Sequence, residues 1–350
     1  MDITIVIPTY ERQNQIRRAI MYWRNYPVQI IIVDGSKNPL VQEATFATNH
    51  NITYHHILCS FEERLLVGAS LVKTPYAMFL SDDEFLVYPA LLEATEILKS
   101  EPKVSAVLGG AMQFLLSEGK MLGAPCYTSA SRLTIDSESS IKRFYQRLKY
   151  PGNIIFYSLT RAHILQFAAR FIADKTYSCQ YISEYQMEAV LCAAGKVVVI
   201  NRLMWLRSME TAPVSFKGWR RSILFNEWCN DSKNEADMIY LEKSADRYLS
   251  LASNNVEIIK GIDFIKNYSR FEMIANPNRG KLWRSFRKTA QQLIDITPKE
   301  LGNLLLKISS KFKVRTKGSF LKLEQVMIQL ELMGVRTDKT ELMRIKTLIE

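Results

Sequence analysis

The chain opens with short β-branched runs that alternate with amphipathic stretches. Apolar runs at residues 3–7, 30–33, 52–57 and 76–80 are strand-sized. The stretches from about Glu11, Phe61 and Pro89 repeat apolar positions at helical spacing. Strands alternating with helices predict an α/β fold, a mostly parallel sheet flanked by helices. Ligands of such sheets bind beyond the carboxyl ends of the strands, so the loops at 8–12, 34–37 and 81–85 are expected on one rim.

Further along, runs at 104–108 and 153–157 predict two more strands, separated by a polar, serine-rich segment over 128–140. Helical patterns follow at 141–148, 161–171 and 183–194, then a strand at 196–200 and the segment 204–207. From about Phe216 the pattern is helical throughout, with amphipathic stretches at 237–252, 255–267 and 320–334. The expected organisation is an α/β domain over 1–213 and a helical, basic C-terminal region over 214–350.

Composition narrows the class. With 350 residues and 47% hydrophobic content the chain can bury a large core. No apolar run reaches the roughly 18 residues needed to cross a bilayer. The first residues lack a basic stretch and a small-residue cleavage site, which argues against secretion. Five scattered cysteines with no metal-ligand spacing read as reduced thiols, and the expected location is cytoplasmic. The net charge of +11 favours acidic partners.

Between Arg279 and Lys322 there are twelve basic residues against Asp295 and Glu300. Within that stretch Thr297, Pro298 and Glu300 form a helix start, followed by a stripe of Leu301, Leu304, Leu305, Ile308 and Phe312. With Trp283, Phe286 and Arg287 nearby, this helix suits the anionic inner face of a membrane; the alternative is a stripe packed on the rest of the chain. Nucleic acid is disfavoured as a partner, because no finger, RNP-like or helix-turn-helix pattern accompanies the charge.

The strongest chemical signal is the apolar run 77–80, which leads through Ser81 into Asp82, Asp83 and Glu84. Clustered carboxylates repel one another unless a cation lies between them, and hard oxygen ligands suit Mg²⁺ or Mn²⁺ completed by substrate phosphates. A solvated acidic turn before the next helix is the plainer alternative. Asp34 before Gly35 is by itself a turn signal. The four histidines show no metal spacing. Residues 8–12 contain no glycine, which excludes the G-x-G-x-x-G fingerprint of dinucleotide enzymes and a glycine-rich phosphate loop.

The run from Thr4 through Pro8, Thr9 and Tyr10, the Val33-Asp34-Gly35-Ser36 segment and the acids 48 positions after Asp34 together resemble family 2 glycosyltransferases. The resemblance covers about residues 1–213. It implies a GT-A (Rossmann-like) fold, with Pro8, Thr9, Tyr10 and Glu11 bordering a nucleotide base and Asp34 bonding the uracil or ribose. Arg64 and Gly68 look like the family's helix before the acidic strand, where a basic residue faces the nucleotide. Ser81 stands where many members have the first Asp, so Asp83 is expected as the principal metal ligand, with Asp82 and Glu84 supporting. Asp82 is also expected at the nucleotide sugar.

Residues 182–196 are similar to the family's E-D-x-x-L stretch, which implies Glu184 as general base, although Tyr185 replaces the usual Asp. Glu188, one turn on, is the fallback base. The plainer reading of Glu184 is a carboxylate at a helix start capped by Ser183. Arg207 is a looser match, placed to neutralise phosphate. The implied activity is an inverting, Mn²⁺- or Mg²⁺-dependent single transfer of sugar from a nucleotide-diphosphate donor, UDP-sugar favoured, to a hydroxyl of a glycan or glycolipid. The alternative is a decayed GT-A module that binds or scaffolds at an anionic surface.

Overall fold

The computed structural model describes residues 1–40, 50–128, 133–150, 154–210, 223–253, 257–275 and 320–350. The expected boundary at 213 and the basic stretch through 319, with its helix at 297–312, lie outside the described residues.

The fold is α/β, with helices flanking a mixed sheet whose central strands are parallel. Strands β1 (Ile3–Thr9), β2 (Gln29–Asp34), β3 (Ile52–His56) and β4 (Tyr76–Phe79) run parallel in the order β3-β2-β1-β4. Most of β1, β2 and β4 is buried, as expected for uninterrupted β-branched runs covered on both faces. Because β2 and β3 lie on one side of β1 and β4 on the other, a crevice opens at the carboxyl ends of β1 and β4.

Beyond β4 the sheet turns antiparallel. A short β5 (Phe85–Leu86) is followed by β6 (Val104–Ser117) and β7 (Lys120–Cys126), while β8 (Leu159–Arg161) inserts between β4 and β6. The long β9 (Lys196–Ser208) lies parallel to β6 and pairs with β5, which brings the end of the acidic segment against residues 205 and 206. Its register against β6 shifts around Gly109 and Gly110, and a Cβ on Gly109 would stand 2.5 Å from the Arg202 carbonyl.

Helices α1 (Gln13–Trp23), α2 (Phe61–Ser70) and α3 (Tyr88–Ser100) follow the parallel strands. α2 begins with a capping box in which Ser60 and Glu63 exchange side-chain to backbone hydrogen bonds. α4 (Ser140–Arg147), α5 (Ala162–Ala173) and α6 (Tyr181–Ala194) come next, then α7 (Phe225–Cys229), α8 (Glu235–Ala252) and α9 (Gly261–Ala275). Their buried side chains, including Phe225, Trp228 and Tyr268, join the same core as the sheet.

One expectation is corrected. The run expected as a strand at 153–157 is a turn of 3₁₀ helix, Ile154–Tyr157, closed by the Ser158 amide and hydroxyl donating to the Ile155 carbonyl. A four-residue apolar run suits a strand or a buried turn equally, and here the strand is β8. Residues 320–350 hold the amphipathic helix expected over 320–334, and they return to the sheet. β10 (Leu321–Lys322) pairs with β7, and α10 (Leu323–Leu332) and α11 (Lys339–Ile349) pack back on the α/β body. The Tyr26 hydroxyl, just after α1, donates to Glu341 of α11, the Tyr22 hydroxyl of α1 lies 3.2 Å from the same carboxylate, and Arg336 pairs with Glu93 of α3 at 2.7 Å.

Arg147 of α4 and Glu188 of α6 form an ion pair at 2.7 Å with both side chains fully buried. Tyr268 of α9 donates to the same carboxylate at 3.5 Å, so three helices meet on one charge. Removing one member strands the other charge in the interior. Arg147→Met should therefore cost about 3–5 kcal/mol in urea unfolding, whereas Arg147→Met with Glu188→Leu should recover much of the loss. A single variant as stable as the parent would contradict this account of the helical layer.

Candidate functional site

Hydrogen bonds knit the loops after β1, β2 and β4 into one rim. The Thr9 hydroxyl donates to Asp82 Oδ2 at 2.7 Å, and the Gly35 amide donates to the Thr9 carbonyl at 3.0 Å. Glu11 lies at φ 55°, a left-handed conformation that costs a non-glycine residue free energy. From there its amide donates to Ser36 Oγ at 2.6 Å and its carboxylate accepts from the Lys37 amide at 2.8 Å. Asp34 accepts from the Ser36 amide at 2.8 Å and from the Tyr54 hydroxyl at 2.7 Å. Its turn-forming role is thus met, and both carboxylate oxygens face protein donors. Pro8 and Tyr10 border the same rim, half-buried.

At the crevice Arg12 joins two of the three acids. Its Nη1 donates to Asp82 Oδ1 at 2.8 Å and to Asp83 Oδ2 at 3.1 Å. Arg18, one helical turn and a half further, donates to the Asp83 carbonyl and pairs with Glu210 at 2.7 Å. Burial raises the Asp82 carboxyl to about 6 despite the opposing pull of Arg12. Glu84 turns away to accept from Trp205 Nε1 at 2.9 Å, and burial together with the neighbouring Asp83 charge raises it to about 8.

The three acids expected as metal ligands are held apart in this arrangement. Asp82, Asp83 and Glu84 do not converge on a common point, and no group of three His, Cys, Asp or Glu among the described residues is placed to hold a metal ion. The one point shared by Asp82 and Asp83 is filled by a guanidinium N–H. As arranged, the donor set does not fit a divalent ion.

Arg64 closes the other wall. It is 6% exposed, lies over the Tyr10 and Phe61 rings, and donates to the Cys59 carbonyl at 2.8 Å. Its Nε is buried with no hydrogen-bond partner, and burial lowers its pKa. A Cβ on Gly35 would stand 2.2 Å from Arg64 Nη1, so only glycine at 35 lets the guanidinium cross there. Gly68, expected beside the nucleotide, has a packing role in the structure. A Cβ at 68 would meet Val6 at 2.3 Å, so this glycine lets α2 pack closely on β1.

Across the crevice stands an aromatic stack. The Trp205 ring stacks with Tyr157 at 4.2 Å and with Tyr127 at 5.5 Å, both nearly parallel to it. Tyr127 sits at φ 51°, and its hydroxyl accepts from Arg207 Nη1 at 2.6 Å. Glu184, half-buried in the first turn of α6, acts electrostatically on Tyr127 and Tyr157, as does Glu84. Thus Glu84, Glu184 and Arg207 share one neighbourhood. α6 begins at Tyr181 after Gln180, so Ser183 lies inside the helix and is not its cap. Glu188 is excluded as a base by its buried pairing with Arg147.

Sequence reasoning missed Arg12, Arg18 with Glu210, and the Tyr127-Trp205-Tyr157 stack. A basic residue before a helix reads as solvated, and the partners of Arg12 lie seventy and seventy-one residues away. Only the neighbouring pair Trp205 and Arg207 in a strand offered a signal.

No family model and no curated protein matches the chain. Solved structures of S. aureus TarS match at low identity. One structure of TarS matches at 14% identity with a TM-score of 0.42, over 73% of this chain and 44% of that one. TarS 1-349 in complex with UDP-GlcNAc matches at 12% with a TM-score of 0.42, over 71% and 73%. TarS 1-349 alone matches at 12% with a TM-score of 0.41, over 80% and 92%. The alignment thus spans less than half of the first of these TarS chains.

Glu84 generates a pH prediction. Its folded carboxyl titrates at about 8 against the ordinary 4.5, so the folded chain retains a proton that the unfolded chain releases. Its contribution is present below 4.5 and is lost as pH rises towards 8. In chelator-treated protein, Glu84→Gln should flatten the fall in stability across that window by up to about 1.4 kcal/mol per pH unit, measured by urea unfolding. Parallel profiles would contradict the protonated assignment.

Proposed function

We propose that the chain transfers a sugar from a nucleotide-diphosphate donor, UDP-sugar favoured, to a hydroxyl of a glycan or glycolipid acceptor, with inversion and by single addition. The observation that carries this reading is the buried Arg64, whose Nε lacks a partner, beside Tyr10 and Asp34 in a crevice whose far wall holds Glu184. A buried cation with unmet donor capacity suits an anionic ligand, and the aromatic ring of Tyr10 suits a base.

In this reading Glu184 accepts the proton of the acceptor hydroxyl as that oxygen attacks C1 of the sugar. The bond from C1 to the diphosphate oxygen breaks on the opposite face, and the electron pair leaves with the diphosphate. Arg64, Arg12, Arg207 and the amino end of α1 oppose its charge. The Tyr127-Trp205-Tyr157 stack supplies apolar faces against which a sugar ring can pack. Cytoplasmic placement, with residues 279–322 at an anionic membrane surface, belongs to the same proposal. Replacing Lys307, Lys311, Lys313 and Arg315 with Gln should lower sedimentation with anionic vesicles, and unchanged sedimentation would remove the membrane from the proposal.

The decisive variant is Glu184→Gln, tested with UDP-sugars and a panel of hydroxyl acceptors. Transfer should fall by about 10²–10⁴-fold while UDP binding, read by calorimetry, stays near that of the parent. Near-normal transfer would place the base elsewhere. UDP binding with no transfer by the parent chain would instead favour a nucleotide-binding module.

A further inference from the structure

We propose that Arg12 is the resident cation of the crevice, so that a nucleoside diphosphate binds there without a divalent metal ion. The inference rests on the donor site proposed above. Its geometric basis is the single nitrogen, Arg12 Nη1, at 2.8 Å from Asp82 and 3.1 Å from Asp83. A bridging ion would need that point.

Three further observations favour the guanidinium over a metal. First, the residues are enclosed: the side chains of Arg12, Asp82 and Asp83 are 9%, 5% and 9% exposed, and Thr9 holds the second oxygen of Asp82. Expelling Arg12 would leave a buried charge to be rehoused. Second, Arg12 occupies the position before the first turn of α1, a helix with no side-chain cap and no acidic residue in that turn. The positive end of the helix dipole therefore adds to Arg12 and repels a further cation, while it attracts a phosphate. Third, Glu84, which could have completed a metal shell, is directed to Trp205.

A planar guanidinium can hold carboxylates along one edge and meet phosphate oxygens along another, which a point-charge ammonium cannot match. Arg12 sets its charge against Asp82 and Asp83 at the amino end of α1, the end that attracts an anion. Arg64, with its unpartnered Nε, supplies a second buried positive group beside Tyr10.

Two measurements on the full chain test this. Calorimetry with UDP in chelator and in Mn²⁺ should give affinities for the parent that agree within about twofold. Electron paramagnetic resonance should show that the parent leaves the spectrum of free Mn²⁺ unchanged. Arg12→Gln keeps hydrogen-bonding capacity but removes the charge; it should take up Mn²⁺, lose UDP affinity by about tenfold or more in chelator, and regain it in part with Mn²⁺. Arg12→Lys, which keeps charge but not the fork, provides a second folded variant and should bind UDP more weakly than the parent in chelator.

A parent chain that takes up one Mn²⁺ and binds UDP only in its presence would overturn the inference while leaving the donor site intact. If UDP binds under neither condition, the donor-site reading fails instead, and the Mn²⁺ spectra of the parent and Arg12→Gln still decide the role of Arg12.

Discussion

The site depends on the contact of Arg12 with Asp82 and Asp83. It ties the loop after β1 to the loop after β4 at the place where the sheet order reverses. Without a cation, two adjacent buried carboxylates would repel each other and hold the strand ends apart. Around this contact the remaining rim assembles: Thr9 on Asp82, Gly35 on Thr9, and the amide of Glu11 on Ser36. The positive φ of Glu11 is a local cost that these bonds offset, and it aims the chain from β1 into α1.

The rest of the structure holds this rim still. α1, which follows Arg12 and carries Arg18, is anchored from behind by Tyr22, which donates to the Leu86 carbonyl at 2.7 Å and also reaches Glu341. The return of residues 320–350 across the sheet thus steadies the helix whose amino end faces the crevice. On the other wall the buried Arg147-Glu188 pair fixes α6, and with it the height of Glu184. Side chains far from the crevice therefore set the separation between its two walls.

Much of the frame was legible in the sequence. β1, β2 and β4 are buried on both faces, so their β-branched runs stand out, and Ser60 with Glu63 marks the start of α2. The shared rim followed from topology alone. The rest required contacts between distant residues. Asp82, Asp83 and Glu84 read as one cluster, yet each meets a different environment: Thr9 and Arg12, Arg12 and Arg18, and Trp205. Gly68 read as part of the site through the family resemblance, while its open Cβ position faces Val6 in the core. A two-residue strand such as β10 has no period to detect, which hid the return of the chain to the sheet.

The most direct test of the account is amide hydrogen exchange of the full chain with and without saturating UDP. Protection is expected in residues 8–12, 34–37 and 60–64 and at the start of α1, all of which border the Arg12 and Arg64 crevice. Protection confined to the cleft lined by Gly110, Ile200 and Leu330, or to the helices after residue 223, would contradict it.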